Sequence, residues 1–170
     1  MRAKILRMGR HLEIERKFLV ARPPIGWRRR GSSPIVQSYF FPAARNVEIR
    51  LRRIAAQHVI TIKSGDGLRR SEVEIKITPA QFHALWPLTR AARIAQRRYR
   101  IPCSGHTIEL DVYQGPHRGL ITADIEFTSV RASRAFQPPP WLGWEITGQR
   151  RYGNAVLARQ QRLAANLPRV

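Results

Sequence analysis

Charged and apolar residues alternate along several short segments of the chain, a pattern typical of β-strands with one charged face. In the segment HLEIERKFLV, Glu13, Glu15 and Lys17 share one strand face, and Ile14 and Phe18 lie on the other. Similar segments predict eight strands, at about 11–20, 34–41, 46–53, 57–63, 70–78, 93–101, 106–114 and 119–128. With so little helix between them, these strands predict a mainly β (α+β) fold, an eight-stranded antiparallel barrel.

Two helices complete the predicted elements. One is expected at about 79–87, where Pro79 follows Thr78, and the other at about 151–165. The 170 residues suit a single domain, which we place at 11–170. The basic segment 1–10 lacks the apolar core of a secretory signal, and we expect it to be a flexible leader.

Acidic residues follow the same alternation. Most of the 11 acids lie in predicted strands, and eight of them form pairs two residues apart in the motifs EIE, EVE, ELD and DIE. The residue between the two acids is apolar in each motif, so each pair shares one strand face. That face must meet either solvent or a polar interior. The pairs are Glu13 and Glu15, Glu72 and Glu74, Glu109 and Asp111, and Asp124 and Glu126.

Basic residues occupy the same strand faces in similar number. Three of the four lysines of the chain, Lys17, Lys63 and Lys76, lie on this charged face. Lysine carries a compact ammonium group whose pKa can shift, whereas arginine carries a planar guanidinium group that stays charged. The remaining basic residues of this face are Arg50, Arg52, Arg98 and Arg100.

A solvated sheet face is the ordinary explanation for any one such strand. Its recurrence in four acid pairs and several basic sets favours an enclosed cavity instead. Carboxylates on neighbouring strands repel one another unless a cation lies among them, and Mg²⁺ and Mn²⁺ prefer such oxygen ligands. The basic residues would then hold an anion such as phosphate. Walker A, HExxH and CxxC motifs are absent from the sequence.

The whole chain is strongly basic, with a formal net charge of +20 and a pI of about 11.8. Such a charge suggests a polyanionic partner, a polyphosphate or a nucleic acid. The single cysteine, Cys103, indicates a reducing compartment, and we expect a cytoplasmic protein. Apolar runs long enough to span a membrane are absent from the sequence, so we expect no membrane partner.

The motif EIERK resembles the ExExK signature of CYTH domains, the triphosphate tunnel metalloenzymes. The resemblance continues in order through nearly the whole chain, in QSYF, RLR, TIKS, RSEVE, RYRIP, ELDVYQG, GLITADIEF, PPWLGWEITG and RYGNAVLA. It implies an eight-stranded tunnel that binds a triphosphate and divalent metal ions, with a C-terminal helix closing one mouth in some members. The chain is most similar to compact bacterial inorganic tripolyphosphatases.

The resemblance also implies roles for individual residues. Lys17 would orient or deprotonate the attacking water, and Mg²⁺ or Mn²⁺ would be the cofactor. The metal would be bound by Glu13, Glu15, Asp124 and Glu126, whereas Glu74, Glu109 and Asp111 would hold a second metal or brace the basic residues. Phosphate oxygens would be bound by Arg50, Arg52, Lys63, Lys76, Arg98 and Arg100.

Several positions depart from the family pattern. Glu48 stands where an arginine is common, Gln96 where a lysine is common, Lys76 where an acid is common and Ser64 where a glycine is common, and Asp124 replaces a glutamate. Together with the charged strand faces, the resemblance nevertheless favours a divalent-metal-dependent triphosphatase acting on inorganic tripolyphosphate or an organic triphosphate. Two alternatives stay open: a class IV adenylyl cyclase, and a non-catalytic module that binds polyphosphate or RNA. A homodimer is also left open.

Overall fold

The computed structural model describes residues 11–41, 47–65, 69–89 and 92–160, without the side chains of residues 11–13 and 69–70. The expected leader at 1–10 lies outside this part of the chain. All eight predicted strands are confirmed, and they form a closed antiparallel barrel in the order β1-β5-β4-β3-β2-β6-β7-β8. Their bounds are β1 His11–Leu19, β2 Ser33–Tyr39, β3 Val47–Ile54, β4 Gln57–Ser64, β5 Arg69–Lys76, β6 Arg93–Cys103, β7 His106–Tyr113 and β8 Ile121–Glu126.

Strand β1 closes the barrel because its two halves pair with different neighbours. Its first half, from His11 to Ile14, pairs with β5, and its second half, from Glu15 to Leu19, pairs with β8. The remaining strands pair with their neighbours in the ring. Alternate residues of every strand therefore face one shared interior.

The helices are short and lie in the segments that connect the strands or follow β8. Helix α1, Pro79–Leu85, begins at a capping box formed by Thr78 and Gln81 and confirms the first predicted helix. The sequence did not predict helix α2, Val130–Ala135, which Ser129 caps. Each helix within the described residues is too short to cross a membrane. Short 3₁₀ helices occupy Trp27–Arg30, Trp86–Thr89, Gly115–His117 and Arg150–Tyr152.

The second predicted helix is confirmed only in part, because it is interrupted within its described residues. In place of a continuous helix from residue 151, the 3₁₀ helix Arg150–Tyr152 ends at Gly153, and α3 spans only Asn154–Leu157. Gly153 has φ −69° and ψ 134°, an extended conformation that interrupts the helical hydrogen bonds. The rest of the predicted helix, 161–165, lies outside the described residues.

The main apolar core lies outside the barrel wall, on the outer faces of β1, β6, β7 and β8. Ile108, Leu110 and Ile125 are fully buried there. Helix α2 and the segment that follows it cover this face with Phe136 and Leu142. Full burial of one such aliphatic side chain stabilises a fold by roughly 1.5–3 kcal/mol, so this cluster stabilises one side of the barrel.

Residues 143–147 run along β1 and hold its second half in place. The Gly143 amide donates to the Leu19 carbonyl at 2.8 Å, and the Leu19 amide donates to the Trp144 carbonyl at 2.9 Å. A Cβ atom at Gly143 would lie only 2.8 Å from the Leu19 carbonyl oxygen, so this approach requires glycine. On the outer face of β1, Arg16 forms an ion pair with Glu145 at 2.7 Å.

A second apolar cluster closes one end of the barrel. Leu19, Tyr39, Ile94 and Tyr113 face inward at this end, and the segment after β8 packs against them. The phenolic oxygen of Tyr113 donates to Asn154 Oδ1 at 2.6 Å. The segment contributes Ile146, Tyr152, Leu157 and Ala158 to the cluster. The inward-facing charged residues therefore lie between this closed end and the opposite mouth.

Candidate active site

The register of the barrel places the charged side chains on its inner face. Lys17 is opposite Asp124, Glu15 is opposite Glu126, and every strand except β2 contributes charged residues to this face. The acids on this face whose side chains are described are Glu15, Glu48, Glu72, Glu74, Glu109, Asp111, Asp124 and Glu126. The bases on this face are Lys17, Arg50, Arg52, Lys63, Lys76, Arg98 and Arg100.

Lys17 is held by Asp124 across the β1–β8 pair. Its Nζ donates to Oδ1 at 2.7 Å and to Oδ2 at 2.9 Å, and both side chains are largely buried. Burial acts to lower the pKa of Lys17, but the charge of Asp124, the hydrogen bond to it and the nearby Tyr113 and Glu15 together outweigh burial, so the pKa is raised. A general base at this position would need a lowered pKa, and the ion pair with Asp124 has the opposite effect. In this arrangement Lys17 is an ammonium ion that can donate hydrogen bonds.

Arg98 is the centre of a buried polar network on β6 and β7. Its Nε and Nη2 donate to the two oxygens of Asp111 at 2.7 and 2.6 Å, and its Nη1 pairs with Glu109. Burial disfavours the guanidinium ion, but the two carboxylates outweigh this and raise the pKa of Arg98. Gln96 donates to Asp111 at 2.6 Å, and Gln37 donates to Gln96 at 3.1 Å. The network fixes the orientation of the Arg98 guanidinium group.

Arg50 and Arg52 project from β3 into the same interior. Arg52 Nη2 donates to Glu74 Oε1 at 2.7 Å, a contact that passes over the intervening strand β4. Arg50 donates to Thr61 Oγ1 at 3.3 Å. Burial, together with the charges of Arg50 and Arg98, lowers the pKa of Arg52 to about 10. Such crowding of cations favours the binding of an anion among them.

The other basic residues differ in their exposure. Lys63 is buried and pairs with Glu72 at 3.0 Å. Lys76 is exposed, and the side chain of Arg100 is 58% exposed, so both lie at the mouth opposite the closed end. The structure therefore brings Arg50, Arg52, Lys63 and Arg98 together within the barrel and leaves Lys76 and Arg100 at its entrance.

Carboxylates oppose one another directly at two places on β1, β7 and β8. Glu15 is opposite Glu126, and Glu109 is opposite Asp124. Opposed carboxylates destabilise a sheet unless a cation compensates them, and oxygen donors suit Mg²⁺ or Mn²⁺. Within the described residues no three potential ligands are arranged as a metal site, and the side chain of Glu13 lies outside them. The carboxylates are of the donor type that a divalent ion prefers, although the described side chains are not grouped as a metal site.

Sequence reasoning missed several polar residues of the interior. Gln37, Thr61 and Gln96 are buried and bond to charged members of the site or to one another. The Tyr39 hydroxyl and Arg52 Nε are buried, and neither has a hydrogen-bond partner in the described part of the protein. Gln37, Tyr39, Thr61 and Gln96 share the strand alternation of the charged residues, but that alternation does not distinguish an enclosed face from a solvated one.

Relatives of known name cover almost the whole chain, although no family model matches it. An inorganic triphosphatase of Nitrosomonas europaea is 43% identical over 148 residues, which are 86% of this chain and 96% of the relative. An inorganic triphosphatase of Acetivibrio thermocellus is 30% identical over 149 residues, which are 86% of this chain and 93% of the relative.

Solved structures give the same picture of the fold. The crystal structure of an inorganic triphosphatase superposes with a TM-score of 0.66 at 39% identity, covering 88% of this chain and 96% of that one. A candidate adenylate cyclase from Bacillus halodurans superposes with a TM-score of 0.57 at 20% identity, covering 76% of this chain and 88% of that one. The second likeness concerns the fold alone. The identity to the two bacterial relatives, over nearly their full lengths, shows that this chain belongs to the inorganic triphosphatase family.

Proposed function

We propose that this protein is an inorganic triphosphatase that hydrolyses a terminal phosphoanhydride of tripolyphosphate inside its barrel. The observation that carries the proposal is the convergence of acidic and basic side chains from seven of the eight strands of one closed barrel on a shared interior. The named triphosphatase relatives support the same activity. Membership of the wider CYTH group rests on the ordered motifs, beginning with EIERK.

The triphosphate would be bound by the enclosed cations. Arg50, Arg52 and Arg98 are pre-oriented by their contacts with Thr61, Glu74 and Asp111 and need little reorganisation on binding. Lys63 would add a further charge near the closed end of the barrel. Such preorganised charge stabilises the equatorial oxygens of a transferring phosphoryl group. Lys76 and Arg100 would attract the substrate at the entrance rather than bind the reacting phosphate.

Lys17 would orient the attacking water as a hydrogen-bond donor. The Asp124 ion pair favours the ammonium form, so the orienting role suits Lys17 better than the deprotonating one. In the reaction, a water oxygen bonds to the terminal phosphorus and the bond from that phosphorus to the bridging oxygen breaks. Pyrophosphate leaves with the bridging electron pair, and the proton of the water passes to solvent.

Mg²⁺ or Mn²⁺ is the cofactor we propose. Glu15, Asp124 and Glu126 would hold it with Glu13, because opposed carboxylates provide the oxygen ligands these ions prefer. A bound divalent ion supplies stabilisation of negative charge on the phosphate oxygens. Glu74, Glu109 and Asp111 already contact Arg52 or Arg98, and of their two predicted roles we favour the bracing of these arginines.

A substrate screen tests this function. The purified protein would be incubated with tripolyphosphate, ATP, thiamine triphosphate or long-chain polyphosphate, with Mg²⁺ or Mn²⁺, and all products would be followed. We expect phosphate and pyrophosphate in equal amounts from tripolyphosphate. Cyclic AMP with pyrophosphate from ATP would identify an adenylyl cyclase instead. Binding without metal-dependent phosphate release would identify a non-catalytic module. A cytoplasmic location and a homodimer remain predictions from the sequence.

A further inference from the structure

Acidic and basic residues are distributed unequally between the inside and the outside of the barrel. The inner face carries eight described acids and seven bases and is close to neutral. The formal charge of +20 therefore belongs to the remainder of the chain. Among the described residues, Glu145 is the one acid outside the inner face, and it is paired with Arg16. The outer surface thus has many arginines and almost no carboxylates to neutralise them.

Six exposed arginines lie together on one side of this outer surface. Strand β2 runs through the middle of this side. Arg53 on β3 lies opposite Val36 of β2, and Arg97 on β6 lies opposite Pro34 of β2. The 3₁₀ helix Trp27–Arg30 contacts β6, since the rings of Trp27 and Tyr99 are 4.6 Å apart. We call this surface the arginine face, and its members are Arg28, Arg29, Arg30, Arg53, Arg93 and Arg97.

The dimensions of the arginine face suit an extended chain of phosphates. Arg93 and Arg97 lie four residues apart on one strand, a distance of about 13 Å. Arg53 lies two strands away from them, at a spacing of about 10 Å. Since the charges of one strand of duplex DNA are ~3.4 Å apart along the helix axis, this length corresponds to about four base pairs of a duplex lying along the face. Arginine donates two parallel hydrogen bonds to a phosphodiester.

We propose that the arginine face binds the phosphodiester backbone of nucleic acid without sequence preference, at a site separate from the barrel interior. This binding goes beyond the proposed hydrolysis and does not depend on it. A membrane surface fits less well, because membrane-binding faces combine basic residues with a broad apolar stripe. Between Arg53 and Arg97, the outer positions of β2 are the exposed Pro34, the half-buried Val36 and the buried Ser38, which expose too little apolar surface for such a stripe.

The test compares two variants with the same change in net charge. One carries serine at Arg28, Arg29, Arg30 and Arg97, and the control carries serine at four other exposed arginines. The control positions are Arg131, Arg134, Arg150 and Arg151, on α2 beside β1 and in the segment that covers the closed end. Affinity for a short fluorescent DNA duplex would be measured by anisotropy across a range of salt concentrations, with excess tripolyphosphate present to occupy the interior.

We expect the first variant to bind DNA at least tenfold more weakly than the wild type. The slope of log affinity against log salt should fall by about 3.6 if all four replaced arginines contact phosphate, because each lost contact removes ~0.9 from the slope. The DNA affinity of the control variant should stay close to that of the wild type. Thermal unfolding should show that both variants are folded. Equal loss in both variants, competition by tripolyphosphate, or tighter binding to vesicles rich in anionic lipid than to DNA would each overturn the proposal.

Discussion

The ammonium group of Lys17 lies 2.7 and 2.9 Å from the two carboxylate oxygens of Asp124, on the adjacent strand of the barrel. The two residues are directly opposite in the β1–β8 register, so the contact follows from the strand pairing itself. Both side chains are largely shielded from solvent. Removal of either charge therefore leaves the other charge buried and deprived of its closest partner. The stability of the barrel and the chemistry of the site therefore depend on the same ion pair.

Replacing Lys17 with Met should cost both stability and activity. The variant leaves Asp124 without its partner, and we expect the free energy of unfolding to fall by about 3 kcal/mol in urea titrations. The double variant Lys17→Met/Asp124→Asn should recover most of this stability because neither charge remains. It should not recover phosphate release. Recovery of hydrolysis in the double variant would show that Lys17 has no role in the reaction.

The stabilising effect of the ion pair should persist across the neutral pH range. The pKa of Lys17 is raised in the fold, so the stability it contributes is complete below the ordinary lysine pKa and is lost only at strongly alkaline pH. We expect the difference in unfolding free energy between the wild type and Lys17→Met to stay constant between about pH 6 and pH 9. A difference that disappears within this range would show that Lys17 deprotonates there, as a general base would.

Replacing Arg52 with Met should weaken substrate binding without weakening the fold. The pKa of Arg52 is lowered to about 10, so below that pH its charge is retained at a cost to stability. We expect KM for tripolyphosphate to rise at least tenfold, while the free energy of unfolding is unchanged or higher. Arg53→Met is the matched control, since Arg53 is exposed on the outer face of the same strand and should leave KM unaltered. A fall in stability with an unchanged KM would contradict the role of Arg52.

Replacing Gly143 with Ala should disturb the backbone hydrogen bonds that join β1 to residues 143–144. The new methyl group would lie 2.8 Å from the Leu19 carbonyl oxygen, which belongs to the backbone and has little freedom to move. We expect Tm to fall, with a loss of about 1–3 kcal/mol, because the backbone hydrogen bonds between Leu19 and residues 143–144 are strained. Gly105→Asn is the control, since this turn has open space and asparagine tolerates its φ of 78°. Equal stability of the two variants would refute the steric argument.

Replacing Glu15 with Gln should remove divalent-ion binding. Calorimetric titration with Mn²⁺ measures this directly and does not depend on turnover. We expect the wild type to bind the ion and Glu15→Gln to bind it at least tenfold more weakly, because one carboxylate ligand is lost. Glu145→Gln is the control, since Glu145 lies on the outside and pairs with Arg16. Undiminished Mn²⁺ binding by Glu15→Gln would contradict the proposed ligand set.

The strand pattern could be predicted from the sequence because most of the strands have one largely apolar and one charged face. Ile14 and Phe18 pack in the outer core while Glu15 and Lys17 face inward, as the alternation requires. The pattern does not specify which cation meets which anion. Arg52 contacts Glu74 over an intervening strand, and Lys63 pairs with Glu72, because both pairings depend on barrel register and curvature.

The C-terminal segment shows where local pattern failed. The sequence of residues 151–160 has helical spacing, but Gly153 is extended, and the segment turns so that Leu157 can reach the closed end of the barrel. Tertiary packing there outweighs helix propensity. The buried amides of Gln37 and Gln96 were missed for a different reason. An uncharged polar residue on an inner face looks the same in sequence as one on a solvated face.

The two-residue alternation of the barrel has a consequence for how its gene can change. Deleting the codon of Glu109 in β7 would shift the register by one residue and turn the following side chains to the opposite face, which places the Asp111 carboxylate in the outer core and the Leu110 side chain among the arginines. Loss or gain of single residues should therefore be excluded from the eight strands and confined to the connecting loops. The length of each strand, and not only its composition, would then be under selection in this lineage.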